Sequence, residues 1–262
     1  MKKCPIFITS ADSYADLWPI YFDLFAQYWP EYDGVIYLNT ETKEYSHAGL
    51  NIICTKVGKK DSFGKTFLAG LDLINSEDVL LAMIDFFIMG TVNNSAMKEY
   101  YDFFKDNKLD SLCLMEGDYP TTAKLDHPVI RRIIPPSKDM FSFQAAFWKK
   151  AMLREMILPH ESPWLSEWYG TKRANIMNLN LACVTGKQVM PYLATGALNK
   201  GKWVEEITIF LNQNDKIPPI DYTKRGLHTE SANTLKLRIK ARLNTFYPRI
   251  LSNIDLWKRR LG

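Results

Sequence analysis

The sequence predicts an α/β protein built on a mostly parallel sheet with helices on its faces. Three observations indicate this fold class. Short apolar runs typical of buried strands alternate with longer segments whose apolar residues recur every three or four positions. Apolar residues make up 47% of the 262-residue chain, which is enough for a sizeable core. No repeat and no low-complexity linker interrupts the pattern.

The first half of the chain carries the clearest alternation. Strands are predicted in CPIFITS, GVIYLNT, LNIICTKV, DVLLAMIDFFIM and LDSLCLM. Helices are predicted in YADLWPIYFDLFAQYWP, with Asp12 or Ser13 as its cap, in SFGKTFLAGLDLINS, and from about Thr91 in TVNNSAMKEYYDFFKDN. Strands that alternate with helices in this way favour parallel pairing.

Beyond Met115 the pattern is less regular. Helices are predicted in AFWKKAMLREMIL, SPWLSEWYGTKRANIM and GKWVEEITIFLNQN, and LNLACVTG and KQVMPYLATG are predicted to pair as strands. We therefore predict one domain over residues 1–230 and a C-terminal extension over 231–262.

The C-terminal extension is basic. Residues 231–262 hold eight Lys and Arg and one Asp, whereas the whole chain carries a net charge of +4. Leu235, Ile239, Leu243 and Phe246 fit one helical face, although the alternation with Lys and Arg also fits a strand, and helix propensities favour the helix. Such a helix is expected either to lie on an anionic membrane surface or to pack, solvated, on its own domain.

Several common kinds of site are not predicted. The four cysteines form no CxxC pair, and neither an HExxH nor a GxSxG motif occurs. The longest apolar run, 79–89, is shorter than the roughly 20 residues of a membrane-spanning helix, and the N-terminal apolar segment is too short for a signal peptide. These features predict a cytoplasmic protein, and nucleic acid is not expected as a partner.

Residues 58–66, GKKDSFGKT, resemble a phosphate-binding P-loop, because a strand precedes them and a helix follows. The P-loop needs four residues between its glycines, but five separate Gly58 from Gly64. A glycine-bearing turn with a helix start near Ser62 is the favoured interpretation.

Polar residues follow the first, second and fourth predicted strands, where ligands bind in open parallel sheets. They are Thr9, Ser10, Ala11, Asn39, Thr40 and Asp85. Asp85 interrupts an apolar run, and a carboxylate buried without a partner costs several kcal/mol. Two explanations stay open: Asp85 holds a divalent cation against phosphate at the sheet edge, or backbone N–H groups satisfy it in a tight turn.

An ordered set of segments resembles bacterial and viral polysaccharide-building glycosyltransferases of GT-A type over most of residues 4–228. The segments are PIFITSADSYADLWPIYFDLFAQYWPEYDGVIYLNTE, DVLLAMIDFF, FSFQAAFWKKAML, ESPWLSEWYGTKRA, GKW and KRGLH. The resemblance implies a nucleotide-sugar donor over the first strands, near Thr9, Ser10, Ala11 and Thr40. It also implies that Asp85 belongs to an acidic motif that holds a divalent metal on the donor's diphosphate.

The sequence departs from the family at Ile84, where a second carboxylate is usual. A single carboxylate binds hydrated Mg²⁺ or Mn²⁺ less well than a pair. His228 is therefore a candidate second ligand. Without metal, Lys172, Arg173 or Arg225 would have to neutralise the diphosphate.

Glu167 is the candidate catalytic base. It lies between two tryptophans in SPWLSEWYG, and it matches the family's glutamate in a Pro-Trp-x-x-Glu context. Apolar surroundings raise the pKa of a carboxyl, and an inverting transferase needs a base for the acceptor hydroxyl. The alternative is a glutamate that only stabilises a helix N-terminus between core tryptophans. The resemblance implies that FSFQAAFWKK is a strand-to-helix segment behind the acceptor pocket, with Ser142 and Gln144 able to bind a ligand and Trp148 packed beside it. Trp164 is a candidate for the sugar-binding face.

The function predicted from these observations is glycosyl transfer, with inversion, from a nucleotide diphosphate sugar to a glycan or lipid-linked glycan acceptor. The expected setting is cell-surface polysaccharide biosynthesis, such as capsule or lipopolysaccharide assembly, with the basic tail at the inner face of the membrane. A catalytically inactive nucleotide-binding protein is the alternative, and a P-loop phosphotransferase is a weaker one.

Overall fold

The structure, a computed structural model, describes residues 4–117, 122–229 and 235–261, and it does not describe the side chains of 235–244. The strands are β1 (Ile6–Thr9), β2 (Val35–Leu38), β3 (Asn51–Cys54), β4 (Asp78–Met83), β5 (Ser111–Cys113), β6 (Thr122–Lys124), β7 (Ile130–Ile133), β8 (Ala146–Lys149), β9 (Leu181–Val184), β10 (Leu198–Asn199) and β11 (Lys202–Trp203). The helices are α1 (Trp18–Tyr28), α2 (Phe63–Asp72), α3 (Asn94–Asp106), α4 (Lys150–Glu155), α5 (Pro163–Ile176), α6 (Glu205–Asn212) and α7 (Leu235–Leu261).

The described residues form a nine-stranded sheet in the order β3-β2-β1-β4-β8-β5-β9-β7-β6. Strands β3, β2, β1 and β4 are parallel, and β8 is inserted antiparallel between β4 and β5. Only β7 and β8 run against the other strands of this described sheet. The predicted architecture is confirmed: a mostly parallel α/β sheet flanked by helices, with a helical C-terminal extension.

Helices cover both faces of the sheet. In β1, Ile6 and Ile8 belong to one apolar core, whereas Phe7 points into the other. Strand β4 divides in the same way, with Leu80 and Leu81 on opposite sides. Because both faces are buried, these strands are continuous apolar runs in the sequence rather than alternating ones.

Two predictions in the second half of the chain are wrong. The segment AFWKKAMLREMIL is strand β8 followed by the short helix α4, because its first four residues pair with both β4 and β5. The segment KQVMPYLATG does not pair with β9, whose neighbours are β5 and β7. It contributes only an isolated bridge between Tyr192 and Ile88. In both segments, pairing between strands that are distant in the sequence determines the structure, and the local pattern does not.

Helix starts were predicted with mixed success. Helix α2 begins directly after Ser62, as predicted. Helix α3 begins at Asn94 rather than near Thr91, because the Asn93 side chain accepts the Ala96 N–H and caps the helix there. Helix α1 has no side-chain cap, so the expected capping role of Asp12 or Ser13 is wrong.

The C-terminal helix α7 packs on α5. Leu256 contacts the buried Leu165 and Tyr169, and the hydroxyl of buried Ser252 donates to Glu161 over 2.7 Å. This packing confirms that the helix docks on its own domain, and it leaves the other side of the helix exposed. In the parts of the chain that the structure describes, no helix combines the length and apolar character needed to cross a membrane.

Candidate functional site

The candidate site lies at the edge where β1, β2 and β4 end. Since β8 is antiparallel to β4, it begins at the edge where β4 ends, with Ala146 opposite Leu81. The segment 142–145 therefore reaches the same edge as Asp85, which lies two residues beyond the end of β4. The sheet thus brings together sequence segments about 60 residues apart.

Asp85 is anchored by its backbone and leaves one carboxylate oxygen free. Its carbonyl accepts the Ala197 N–H over 2.6 Å, whereas its Oδ1 is buried and has no hydrogen-bond partner among the described residues. Burial raises the pKa of Asp85 to about 6. The tight-turn explanation leaves Oδ1 unaccounted for, so the geometry favours a carboxylate available to a ligand.

The loop that faces Asp85 requires a glycine. Gly196 has a φ of +78°, and a Cβ there would lie 2.8 Å from Asp85 Oδ2. A side chain at this position would therefore be strained and would crowd the carboxylate.

Asp12 ties the loops after β1 and β2 together. Its carboxylate accepts the backbone N–H groups of Glu41, Thr42 and Lys43, and the Asp12 N–H donates in return to the Glu41 carboxylate. Burial alone would raise the pKa of Asp12, but the bonds from Thr42 and the neighbouring amides outweigh it and lower the pKa. The sequence pattern indicated a helix cap here and missed this clamp.

Of the predicted donor residues, Thr9 ends β1, whereas Ser10, Ala11 and Thr40 lie in these loops. Ser10 Oγ accepts the Trp18 indole N–H over 2.8 Å, and Thr40 Oγ1 accepts the Lys56 N–H over 3.1 Å. Thr9 is also buried, and the Ala11 carbonyl accepts an N–H from the turn that follows. The structure gathers all four residues at one edge, and their contact with a nucleotide stays a prediction.

Arg225 brings a late loop to the same region. Its guanidinium pairs with Asp16 over 2.5 Å, donates to the Ser13 carbonyl over 2.9 Å, and lies 5.2 Å from the Tyr14 ring. Burial raises the pKa of Tyr14, and the negative charge of Asp85 raises it further. The charges of Asp85 and Arg225 therefore shift the pKa of Tyr14 in opposite directions. Sequence reasoning did not select Tyr14 or Asp16.

Glu167 lies on the first turns of α5, which begins at Pro163 after the cap Ser162. Its Oε1 accepts the Phe143 N–H over 3.0 Å, and burial raises the pKa of its carboxyl. Trp164 and Trp168 are exposed. The alternative interpretation placed both tryptophans in the core, and their exposure shows that this part of it is wrong.

Gln144 links the Glu167 side of the edge to the Asp85 side. Its Oε1 accepts the Tyr192 hydroxyl over 2.9 Å, and its Nε2 donates to the Ala194 carbonyl over 3.1 Å. The Tyr192 ring stacks on Phe86, the residue after Asp85, with centroids 5.0 Å apart. A continuous set of contacts thus connects the two carboxylates. Tyr192 carried no signal in the sequence, because its partners are far away along the chain.

The remaining predicted site residues share no hydrogen bond or ring contact with this set among the described residues. Trp148 is buried between β4 and β5, and Ser142 is half-buried. His228 is placed by its backbone, which donates to the Trp203 carbonyl. Arg173 is completely buried and pairs with Glu161 over 2.6 Å.

The GKT segment does not form a phosphate cradle. A Cβ on Gly64 would lie 2.0 Å from the Leu158 carbonyl oxygen, so this glycine is required by helix packing. Lys65 pairs with Asp61 at the surface.

A metal centre made by protein groups alone is not found within residues 4–117, 122–229 and 235–261, where no three His, Cys, Asp or Glu side chains converge. Mg²⁺ commonly uses one or two carboxylates, and phosphate oxygens and water complete its shell. The unpartnered Oδ1 of Asp85 fits a metal that arrives on a diphosphate.

The sequence matches no family profile, and no curated protein matches it. Among solved structures, S. aureus TarS 1-349 has a TM-score of 0.46 and 15% identity, and the match covers 71% of this chain and 59% of that one. A UDP-glucose pyrophosphorylase complexed with UDP-glucose has a TM-score of 0.47 and 12% identity, with 72% and 92% covered. The cytidylyltransferase IspD of Francisella tularensis has a TM-score of 0.41 and 11% identity, with 74% and 94% covered. Similarity at this level assigns neither a family nor an activity.

Proposed function

We propose that this protein transfers a glycosyl group from a nucleotide diphosphate sugar to a hydroxyl of a glycan or lipid-linked glycan. The observation that carries the proposal is the chain of contacts that links two carboxyl groups, Asp85 with an unpartnered oxygen and Glu167 with a raised pKa. Gln144 and Tyr192 connect them. The setting we propose, from the resemblance of the sequence, is cell-surface polysaccharide biosynthesis.

The donor is proposed to lie over the loops that Asp12 clamps, against Thr9, Ser10, Ala11 and Thr40. Asp85 would hold Mg²⁺ or Mn²⁺ carried by the diphosphate, and such a metal supplies charge stabilisation to the departing phosphate oxygens. Arg225 is the nearby cation that can assist, since it is only partly buried. Arg173 is not part of the proposal, because its guanidinium is enclosed and already paired.

Glu167 is proposed as the base for the acceptor. Its carboxylate takes the proton of the acceptor hydroxyl as that oxygen forms a bond to the anomeric carbon. The bond from the anomeric carbon to the diphosphate oxygen breaks on the opposite face, so the configuration inverts. The Phe143 N–H orients the carboxylate, and Gln144 and the exposed Trp164 are proposed to contact the acceptor.

A second candidate function is nucleotide binding without catalysis. The observation that favours it is Ile84, which is buried in the core at the position where a second acidic side chain would be needed. A scaffold with one carboxylate can retain a nucleotide and lose turnover.

The test is donor turnover with UDP-, GDP- and dTDP-sugars, with and without Mn²⁺. We expect one donor to be hydrolysed or transferred, and we expect Asp85→Asn to remove most of that turnover and its response to Mn²⁺. Nucleotide binding with no turnover of any donor would select the binding protein instead.

A further inference from the structure

Helix α7 has an apolar face that no described part of the protein covers. Phe246 and Trp257 are 66% and 62% exposed, and four further apolar side chains on this helix are exposed as well. The six are Phe246, Tyr247, Ile250, Ile254, Trp257 and Leu261. At about 100° per residue they occupy an arc of roughly 100°. Ser252 and Leu256, which dock on α5, lie on the opposite side of the helix.

Cations border this apolar arc. In helical projection, Arg249 and Arg260 lie along one border and Lys258 along the other. Within the described side chains, no carboxylate pairs with these three cations, and Asp255 is turned towards Arg259 and Arg173. The surface is therefore amphipathic, with unneutralised positive charge on both sides of its apolar centre.

Helix α5 extends the same surface. Trp164 is 76% exposed, and Trp168 is exposed one turn later. Lys172 Nζ lies 4.6 Å from the centroid of the Trp168 ring. Helix α7 packs on α5 through Leu256, Leu165 and Tyr169. Burial lowers the pKa of Lys172, and the charges of Arg260 and Arg249 on α7 lower it further. We call these exposed residues of α5 and α7 the α5–α7 face.

We propose that the α5–α7 face docks on the headgroup region of an anionic lipid bilayer. Tryptophan and tyrosine favour the membrane interface, where one end of the ring is apolar and the other is hydrated. Lysine and arginine beside them match phosphate headgroups, and a basic helix with a bulky apolar face is the usual form of such a contact. The inference does not rest on the proposed transferase activity, and its test leaves Trp164, which is also proposed to contact the acceptor, unchanged.

The docked side of α7 is held to the domain by polar contacts. Ser252 donates to Glu161, which pairs with the buried Arg173, and His160 lies 2.9 Å from the Ser252 hydroxyl. Deleting the helix would expose this buried ion pair and destabilise the domain. Surface substitutions are therefore the sharper test.

The experiment measures co-sedimentation of the full chain with vesicles of phosphatidylcholine alone and with about one third phosphatidylglycerol. We expect binding only to the anionic vesicles, with the partition coefficient reduced by high salt. Ile250→Glu with Trp257→Glu should lower it by at least tenfold, and Arg249→Gln with Arg260→Gln should lower it by roughly tenfold. The matched control is Ile209→Glu, which changes an exposed apolar residue on α6 and should bind as the wild type does.

Two outcomes would overturn the proposal. One is binding by the Ile250→Glu, Trp257→Glu variant equal to that of the wild type, with circular dichroism showing that the variant is folded. The other is absence of binding to the anionic vesicles by the wild type. A dimer in sedimentation velocity that the same variant dissociates would then show that the face joins two copies of this chain.

Discussion

Phe143 donates its backbone N–H to Glu167 Oε1 over 3.0 Å, which joins helix α5 to the segment that leads into β8. The neighbouring Gln144 continues to Tyr192. The carboxylate of Glu167 is therefore held by a residue whose position the sheet determines. Such positioning is what a general base needs, because its pKa and its reach to the acceptor both depend on it.

Asp85→Asn should stabilise the fold at neutral pH. An unfolded aspartate ionises near pH 3.8, whereas burial raises the pKa of Asp85 in the fold to about 6. The ionised form is therefore penalised in the folded state, and the free energy of unfolding falls as pH rises from about 4 to 6. Removing the charge should raise the free energy of unfolding by about 1–3 kcal/mol at pH 7.5.

Urea unfolding of the wild type and Asp85→Asn at pH 7.5 and pH 4 measures this effect. The difference should be present at pH 7.5 and nearly vanish at pH 4, where both side chains are neutral. A variant that is less stable at pH 7.5 would show that the carboxylate is satisfied within the protein.

Arg173→Met should destabilise the protein by about 3–5 kcal/mol, because it leaves Glu161 buried without its cation. Arg225→Met should cost less than about 1 kcal/mol, since its pair with Asp16 is partly exposed. For nucleotide affinity we expect the reverse: Arg225→Met should lower the affinity more than Arg173→Met does. Chemical unfolding and calorimetric titration with nucleoside diphosphates measure the two quantities. Loss of affinity with unchanged stability in Arg173→Met would show that Arg173 contacts the donor after all.

Lys65→Ala should leave nucleotide affinity unchanged, because Lys65 forms a surface pair with Asp61 and no phosphate cradle surrounds it. Gly64→Ala should destabilise the protein by roughly 1–3 kcal/mol, since the added methyl group meets the Leu158 carbonyl. Calorimetric titration and thermal unfolding measure these effects. A large loss of nucleotide affinity in Lys65→Ala would revive the P-loop interpretation.

The sequence was sufficient to predict the parallel half of the sheet. Strands buried on both faces are continuous apolar runs, and β1, β2, β3 and β4 are separated by helices or turns that the periodicity shows. Asp85 stood out for the same reason, as the one charge within such a run. The helical nature of the C-terminal segment also followed from propensity.

The rest depended on distant pairing. The residues of β8 fit a helical pattern, and only insertion between β4 and β5 makes them a strand. This insertion is also what brings Gln144 to the site, so Tyr192 and its stacking on Phe86 could not be inferred from local pattern. Arg173 and Lys172 are adjacent on one helix. The guanidinium of Arg173 is enclosed, whereas the ammonium group of Lys172 lies over the ring of exposed Trp168. Burial of this kind is decided by tertiary packing.

The most direct test of the central claim is the rate of glycosyl transfer by Glu167→Gln with the donor that the wild type uses. The amide oxygen of glutamine can still accept the Phe143 N–H, so the fold and donor affinity should be retained while the rate falls by about 10²–10⁴-fold. Glu206→Gln, on the exposed first turn of α6, is the matched control and should keep the wild-type rate. A Glu167→Gln rate equal to that of the control would contradict the assignment of Glu167 as the base.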